Sequence, residues 1–379
     1  MASLRTILVK SWALATLPFR IVGICLYYAF PFTRPHPGWT YHQAIGLKLF
    51  DLWWRYSVTV SFHAQKTLLP GNEKDRFIVM QLAPSTAPRH YYRGILLTNP
   101  AIRPLPVGAV WYSATGTSPK GPFPNGMVLH FHGGAYVLGG ARPLEGGWGP
   151  QQLSGILNKP VLQVQYRLAG PTPAASTHTR FPAALQDAIT AYAYVLDVLR
   201  VPPQQLIISG DSAGASLAVT VLRYLATETN VDGPDRRLPL PRAAFLWSPW
   251  LDLSPEGTAR IDQHRNARSD YLNGALAEWG ASCYAPLEGN SREQAWLSPL
   301  GREFPVISTG MFVQTGTAEV MVDENLQFVE EMKGIGNTAK AWVVEGATHD
   351  IFAAGQILGM VPEAQKAMRA AGEFADRLL

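Results

Sequence analysis

The fold of this chain is decided by residues 206–214, which read LIISGDSAG. The first three residues are apolar and residues 206–209 are typical of a buried strand, while the run from Ala213 to Thr227 is typical of a helix. Between them lies the pattern G-x-S-x-G with Ser212 at its centre, in the context that a nucleophile elbow requires. Small neighbours are needed because only they leave room for a serine at so sharp a turn. A chance match at three fixed positions is the alternative, and the strand and helix context argues against it.

Strands and helices alternate on either side of this stretch. Short apolar runs predict strands at 127–131, 161–166, 206–209, 244–248, 310–315 and 340–345, and periodic runs predict helices at 182–200, 213–227 and 324–333. Such alternation predicts an α/β fold with a mostly parallel sheet covered by helices on both faces. Residues from about 253 to 305 fit the alternation poorly and are expected to be an insertion that forms a lid over the strand ends.

A glycine pair follows the predicted strand at 127–131. Residues 132–135 read HGGA and match the HGGG type of oxyanion loop. We expect the N–H groups of Gly133 and Gly134 to face a substrate oxygen, with the N–H of Ala213 completing the oxyanion hole. A phosphate-binding glycine loop is the alternative, but neither the P-loop pattern nor a well-placed G-x-G-x-x-G is present.

Taken together, these motifs resemble the hormone-sensitive-lipase family of α/β-hydrolases, in the subgroup whose elbow reads GDSAG. The similar segments are HGGAY at 132–136, YRLA at 166–169, FPAAL at 181–185 with Asp187, GDSAG at 210–214, SPWLD at 248–252 and LSPL at 297–300. The resemblance covers about residues 100–379. It implies an eight-stranded, mostly parallel sheet, a helical lid and serine esterase chemistry without a metal or organic cofactor.

The resemblance also suggests how the chain is organised. We expect residues 1–100 to supply N-terminal lid or membrane-facing helices and a lead-in. Residues 101–379 would form the α/β-hydrolase catalytic domain, with the lid insertion at about 253–305. The chain departs from the family at Gln165 and at Gly170-Pro171, where acidic residues are usual around the YRLA segment.

Ser212 needs a base, because a serine hydroxyl is a weak nucleophile until its proton is removed. His349 lies in the loop after the last predicted strand and gives the chain order serine, acid, histidine. His132 belongs to the oxyanion loop, and no H-E-x-x-H or similar spacing indicates a metal site.

The acid that orients His349 has three candidates. Glu319 begins a segment, EVMVD, that resembles the family's D-P-L-x-D segment with Glu in the catalytic place, and it precedes His349 by 30 residues as in that family. A glutamate is chemically competent, since the role requires only a carboxylate. Asp323, whose other role would be a charge at a helix N-terminus, and Asp252 remain as alternatives.

Composition narrows the class of protein. The 379 residues are 47% hydrophobic and 16% charged, which excludes a disordered or coiled-coil chain. The net charge of +4 (32 minus 28) is dispersed, so nucleic-acid binding has no support. The two cysteines cannot form a disulfide framework, and we expect an intracellular location, either cytoplasmic or membrane-associated, with the endoplasmic reticulum as one candidate. The composition does not address oligomeric state.

The first 50 residues are basic and apolar. They contain Arg5, Lys10, Arg20, Arg34 and Lys48 but no acidic residue. The longest uncharged run, 21–33, has 13 residues, fewer than the ~20 needed to span a bilayer. No clear cleavage site supports a signal peptide. Two interpretations stay open and are compatible: helices that cover the body as a lid, and contact of residues 1–33 with a membrane surface.

The sequence therefore predicts a serine carboxylic ester hydrolase that works through an acyl-enzyme. Aromatic residues crowd the expected lid segments, which favours a small hydrophobic ester as substrate. An acyltransferase or lactone-forming enzyme could use the same triad, so that alternative stays open. A non-catalytic receptor for a small ligand is the other alternative. The plant gibberellin receptor resembles this family but lacks its catalytic histidine, so the presence of His349 argues against this alternative.

Overall fold

The computed structural model describes residues 4–64, 66–82, 91–119, 121–228, 238–286 and 291–378. The strands are β1 Phe77–Met80, β2 Val107–Tyr112, β3 Met127–Phe131, β4 Val161–Gln165, β5 Leu206–Asp211, β6 Ala243–Trp247, β7 Gly310–Gly316 and β8 Ala339–Val344. The helices are α1 Leu4–Tyr28, α2 Tyr41–Thr59, α3 Pro143–Gly146, α4 Trp148–Leu157, α5 Ala183–Asp197, α6 Ala213–Thr227, α7 Pro255–Ile261, α8 Gly274–Tyr284, α9 Ser291–Leu297, α10 Val322–Gly334, α11 Ile351–Ala354 and α12 Val361–Asp376.

The strands form one eight-stranded sheet in the order β1-β2-β4-β3-β5-β6-β7-β8. β2 runs antiparallel to both β1 and β4, and every other neighbouring pair is parallel. The predicted α/β fold with a mostly parallel sheet is therefore confirmed. The motif-based predictions omitted β1 and β2, because runs of four and six residues before the glycine-rich motifs do not by themselves distinguish a strand from a short helical segment.

Side-chain alternation assigns the two faces of the sheet. On β3, Leu129 and Phe131 join one buried apolar cluster while Val128 joins the other, and on β5 Ile208 and Ile207 divide in the same way. Both faces are buried, which explains why these strands are mostly apolar and do not alternate between apolar and exposed polar residues. Buried residues of α5 and α6 belong to the first cluster, and those of α12 to the second.

The parallel strands bring distant segments to one edge. Carboxyl ends of parallel strands share an edge of the sheet, and the register pairs Phe131 of β3 with Gly210 of β5. The oxyanion loop after β3, the elbow after β5 and the loops after β7 and β8 consequently open on the same side. This is where ligands bind in open α/β sheets.

Two groups of helices lie outside the alternating pattern. The helices α7, α8 and α9 occupy the segment between β6 and β7. At the N-terminus, α1 packs on α2, and α2 packs on α8. Large apolar side chains on and after α1 are exposed, including Phe19 at 79% and Phe32 at 84%. Among the described helices, none has both the length and the apolar character that crossing a membrane requires.

Candidate active site

Ser212 stands at a strained turn between β5 and α6. Its φ of 50° and ψ of −116° place a residue with a side chain in a region that L-amino acids rarely adopt. The turn is held by the backbone, since the Ser212 N–H donates to the carbonyl oxygen of Trp247 at 2.8 Å. The strain lifts the hydroxyl clear of the sheet edge, as a nucleophile requires.

The glycines of the elbow have no room for a side chain. A Cβ on Gly214 would lie 2.0 Å from the carbonyl oxygen of Phe131 and 2.5 Å from that of His132. A Cβ on Gly210 would lie 2.2 Å from the carbonyl oxygen of Gly214. These are contacts with backbone, which cannot swing aside. The G-x-S-x-G pattern is therefore a packing requirement that brings the elbow helix against the oxyanion loop.

His349 lies within hydrogen-bonding distance of the elbow serine. The two residues are 137 positions apart in the chain, yet Nε2 of His349 and Oγ of Ser212 are 2.9 Å apart. Both side chains are almost fully buried. Burial lowers the pKa of the His349 imidazole to about 3, so the ring is neutral at physiological pH and can accept a proton.

Residues 317–321, between β7 and α10, contain Glu319, and we call them the acid loop. Glu319 is completely buried. Its carboxylate accepts hydrogen bonds from the Ser248 hydroxyl at 2.6 Å, from the Thr315 hydroxyl at 2.5 Å and from the Asn325 amide at 2.9 Å. Burial raises the pKa of this carboxyl to about 8, although the hydroxyl donors oppose the shift. Among the described residues, Nδ1 of His349 has no hydrogen-bond partner, so the structure does not show a direct bond between this ring and Glu319.

Ser248 connects the acid loop with residues 345–350, between β8 and α11, which contain His349 and which we call the histidine loop. Its hydroxyl donates to Glu319 and accepts the N–H of Asp350 at 3.0 Å, immediately after His349 in the chain. Its φ is 44°, so it leaves β6 through a strained turn. The sequence motifs do not single out Ser248, although its position directly after a parallel strand makes it a candidate.

The two alternative acids lie elsewhere. Asp323 is half-exposed in the first turn of α10 and pairs with Arg265 and with His264. Asp252 caps the turn at Ser254 and pairs with Arg260 at 2.6 Å. Within the described part of the chain neither carboxylate contacts His349, because salt bridges hold both of them away from Ser212, His349 and Glu319.

The oxyanion loop differs in one respect from the expectation. The N–H of Gly133 donates to a carboxylate oxygen of Asp211 at 2.7 Å, so this donor is engaged within the protein rather than aimed at a substrate oxygen. A Cβ on Gly133 would also lie 3.2 Å from Cβ of Ser212, which shows how closely the loop approaches the elbow. Across the described residues, the N–H groups of Gly134 and Ala213 have no hydrogen-bond acceptor.

Asp211 organises this region, although the G-x-S-x-G pattern leaves its position unspecified. Besides Gly133, it contacts Nε2 of His130 at 2.9 Å and the carboxyl group of Asp350. Burial raises the pKa of Asp211 to about 7, and burial together with the neighbouring Asp211 raises that of Asp350. Two buried carboxyl groups in contact cannot both ionise easily, so the pair retains a proton near neutral pH.

A cavity of about 700 Å³ opens above the elbow. Its floor includes Ser212, His349, Gly134 and Asp211. Its wall is largely aromatic and aliphatic, with Phe50, Trp53, Trp54, Trp148, Leu276 and Ile357. Helix α2 and the segment between β6 and β7 both contribute to this wall. Among the described residues, no group of three or more His, Cys, Asp or Glu is arranged to hold a metal ion.

The fold and this edge of the sheet define the class to which the protein belongs. The model of a family described as having the alpha/beta hydrolase fold matches residues 128–353. The chain belongs to that family, which confirms the membership that its motifs had suggested.

Individual relatives are similar over part of the chain. An acetyl-hydrolase of Streptomyces hygroscopicus is 33% identical over 197 residues, which are 52% of this chain and 58% of that protein. An ethyl acetate hydrolase of Pseudomonas putida is 27% identical over 61% of this chain and 67% of its own length. This chain thus spans less than two thirds of the acetyl-hydrolase. A crystal structure of an esterase from the bacterial hormone-sensitive lipase family superimposes with a TM-score of 0.59 at 22% identity, covering 95% of this chain and 97% of that one.

Proposed function

We propose that the protein is a serine carboxylic ester hydrolase that works through an acyl-enzyme. The observation that carries the proposal is the 2.9 Å contact between Ser212 Oγ and His349 Nε2 at the floor of an apolar cavity. A neutral buried imidazole in contact with a strained, elevated serine is the arrangement that nucleophilic catalysis needs. The names of the relatives, an acetyl-hydrolase and an ethyl acetate hydrolase, support ester hydrolysis.

The proposed reaction has two halves. In the first, Ser212 Oγ attacks the ester carbonyl as its proton moves to His349 Nε2, and the leaving alcohol takes that proton when the C–O bond breaks. In the second, water attacks the acyl-serine with His349 again as base, and the carboxylic acid departs as Ser212 regains its proton. The N–H groups of Gly134 and Ala213 stabilise the oxyanion of each tetrahedral intermediate.

Glu319 is the carboxylate that we assign to the third role. Protonation of His349 creates a buried imidazolium, and a negative charge nearby lowers its free energy. Glu319 is completely buried and linked to the histidine loop through Ser248 and Asp350. We expect Glu319 to come within hydrogen-bonding distance of His349 Nδ1 in the substrate complex, because catalytic hydrogen bonds often tighten when substrate binds.

The cavity suggests a hydrophobic ester as the substrate. Its wall offers mainly aromatic and aliphatic contacts. The polar lining residues include those of the floor together with the Lys66–Glu145 ion pair and Gln356. A volume of about 700 Å³ falls within the range of small-molecule sites. Acyl groups longer than acetyl would bury additional methylenes against this wall.

We therefore expect the hydrolysis rate to depend on acyl length. Each buried methylene contributes ~0.8 kcal/mol, or about fourfold in affinity for the transition state. With p-nitrophenyl esters, kcat/KM should rise by about fifteenfold from acetate to butyrate, which adds two methylenes, and then level off when the chain fills the cavity. The measurement is initial rate against substrate concentration for acetate through octanoate. A maximum at acetate would contradict the hydrophobic substrate class.

We further propose that the N-terminal segment contacts a membrane surface. Phe19 and Phe32 are exposed to 79% and 84%, and Trp12 to 57%, in a region with five basic residues and no acidic residue. Large exposed apolar side chains beside basic ones suit the interface of an anionic bilayer. The apolar side chains would enter the acyl boundary while the basic residues stay at the headgroups.

Vesicle binding tests this contact. We expect the protein to sediment with phosphatidylserine/phosphatidylcholine vesicles, more weakly at 0.5 M than at 0.1 M salt because salt screens the charge attraction. Phe19→Ser with Phe32→Ser should lower the partition coefficient by at least about tenfold, since each phenylalanine loses ~1.5–3 kcal/mol of burial. Val198→Ser, at an exposed apolar residue after α5, is the control and should bind as the wild type does. Equal binding by the wild type and both variants would exclude Phe19 and Phe32 as the contact.

A further inference from the structure

The segment between α7 and α8 lies against the acid loop. Nδ2 of Asn266 donates to the carbonyl oxygens of Thr317 and Glu319, each at 2.8 Å. The Ser269 hydroxyl donates to the carbonyl oxygen of Ala318 at 2.9 Å. Part of the expected lid insertion therefore supports the backbone that carries Glu319. We call residues 266–272 the clamp segment.

Asp270, within the clamp segment, contacts both loops of the proposed triad. One carboxylate oxygen accepts the N–H of Val320 at 2.8 Å, immediately after Glu319. The other accepts the hydroxyl of Thr348 at 3.1 Å, immediately before His349, and the N–H of Leu272 at 3.1 Å. The carboxyl group is 2% exposed, so water does not compete for these bonds.

We propose that Asp270 is a positioning residue that holds the Glu319 and His349 loops in catalytic register. This inference rests on the proposed function and deepens it. Asp270 does not contact Ser212 and acts by holding the two loops, while its charge contributes to the raised pKa of Glu319. Asp270 belongs to the segment between β6 and β7, which also lines the cavity. The same segment therefore supports both the cavity wall and the proposed triad.

The chemistry of the site favours a carboxylate. Three donors converge on Asp270, two of them backbone N–H groups that cannot reverse their polarity. A carboxylate accepts on both oxygens, whereas an asparagine must turn its NH₂ towards either Val320 N–H or Leu272 N–H. Burial raises the pKa of Asp270 to about 6, which still leaves it ionised at pH 7.5. Asp270→Asn would therefore lose the hydrogen bonds to one of the two loops while keeping the volume of the side chain.

Packing adds a second link between the clamp segment and the histidine. The ring of Tyr271 meets His349 edge to face, with centroids 5.7 Å apart. From the other side Tyr271 packs on Phe50 at 4.6 Å and stacks on Trp54, both on α2. The clamp segment is thus held between the N-terminal helices and the histidine loop, which makes it a fixed support.

The test compares Asp270→Asn, Thr348→Val and the double variant with the wild type, using p-nitrophenyl butyrate turnover. Thr348→Val keeps the side-chain shape and removes only the hydroxyl on Asp270, so it is informative even where Asp270→Asn folds poorly. Asp262→Asn is the matched control. Asp262 lies in the same insertion and also accepts a backbone N–H, that of Gly274 at 2.8 Å, but at an exposed position on the insertion itself.

We expect Asp270→Asn to lower kcat by about 30- to 100-fold with KM within about twofold, because the reacting groups and not the cavity wall are displaced. Thr348→Val should lower kcat by about fivefold. The double variant should fall no further than Asp270→Asn, since both changes remove one shared contact. Asp262→Asn should keep the wild-type kcat.

A wild-type kcat in Asp270→Asn, or losses that multiply in the double variant, would overturn the proposal. So would a rise in KM that accounts for the whole loss. Amide hydrogen exchange at 317–322 and 346–350 gives a readout independent of turnover: Asp270→Asn should speed exchange in both peptides, and Asp262→Asn in neither. A wild type that does not hydrolyse esters would refute the proposed function, whereas unchanged exchange in Asp270→Asn would refute the clamp itself.

Discussion

Ser212→Ala is expected to lower kcat for ester hydrolysis by about 10⁴- to 10⁶-fold, the scale found when a serine nucleophile is removed from a triad. The physical reason is the loss of the acyl-enzyme: with Oγ absent, His349 has no hydroxyl to deprotonate within 2.9 Å. Substrate binding should persist, because the apolar cavity wall is unchanged. The measurements are p-nitrophenyl butyrate turnover and labelling by a fluorophosphonate, which the variant should lose completely.

Ser154→Ala is the matched control for this change. Ser154 is buried in α4, and its hydroxyl donates to the carbonyl oxygen of Lys159 at 2.7 Å. The substitution removes the same atom at a site outside the cavity, so it should cost ~1 kcal/mol in the free energy of unfolding and leave kcat intact. Retention of more than a tenth of kcat by Ser212→Ala would show that Ser212 is not the nucleophile. A wild type that resists the fluorophosphonate would instead favour the ligand-receptor alternative.

Glu319→Gln is expected to lower kcat by about 10³- to 10⁴-fold, comparable to replacing the triad acid by its amide in a serine protease. Glutamine keeps the shape and retains an acceptor for part of the hydroxyl and amide network around Glu319. It removes the charge that would stabilise the His349 imidazolium. The comparison with Asp323→Asn is decisive for the acid, since Asp323 is half-exposed and paired with Arg265. That variant should keep the wild-type kcat.

The pH dependence should change with the same substitution. The pKa of Glu319 is about 8, so the carboxyl gains its charge as pH rises through that value, and the wild-type kcat/KM should rise with it. His349, with a pKa lowered to about 3, is already neutral over this range. Glu319→Gln should lose the rise near pH 8, while any limb from the Asp211–Asp350 pair would persist in both proteins. A rise near pH 8 that is unchanged in Glu319→Gln would exclude Glu319 as its source.

The sequence predicted the sheet because both of its faces are buried. Runs such as MVLHF at 127–131 and LIIS at 206–209 are mostly apolar and do not alternate with exposed polar residues, as expected for a strand covered on both sides. Their polar members, His130 and Ser209, are buried and hydrogen-bond to each other at 3.0 Å. The predicted helices 182–200 and 213–227 appear as Ala183–Asp197 and Ala213–Thr227. Pro182 precedes the first turn of one, and Ser212 precedes the other, so both begin where the local chemistry changes.

The candidate site was predictable to the extent that it is local. The elbow and the oxyanion loop each consist of consecutive residues. Both can be recognised in the sequence because tight turns and close backbone contacts restrict the residue types allowed there. His349 followed from chain order after the last strand. The engagement of Gly133 with Asp211 was not predictable, because it joins residues 78 positions apart and depends on how the two loops meet.

The sequence by itself determined the six strands from β3 to β8, the helices α5, α6 and α10, the G-x-S-x-G turn and the residue types that could act as nucleophile, base and acid. These depend on apolar periodicity and on backbone sterics, which operate within a few residues. Only the tertiary structure decided which carboxylates are buried: Glu319 and Asp270 lie inside, while Asp323 lies outside in a salt bridge. Burial sets their pKa values and their hydrogen-bond partners, and it arises from contacts between segments that are far apart in the chain.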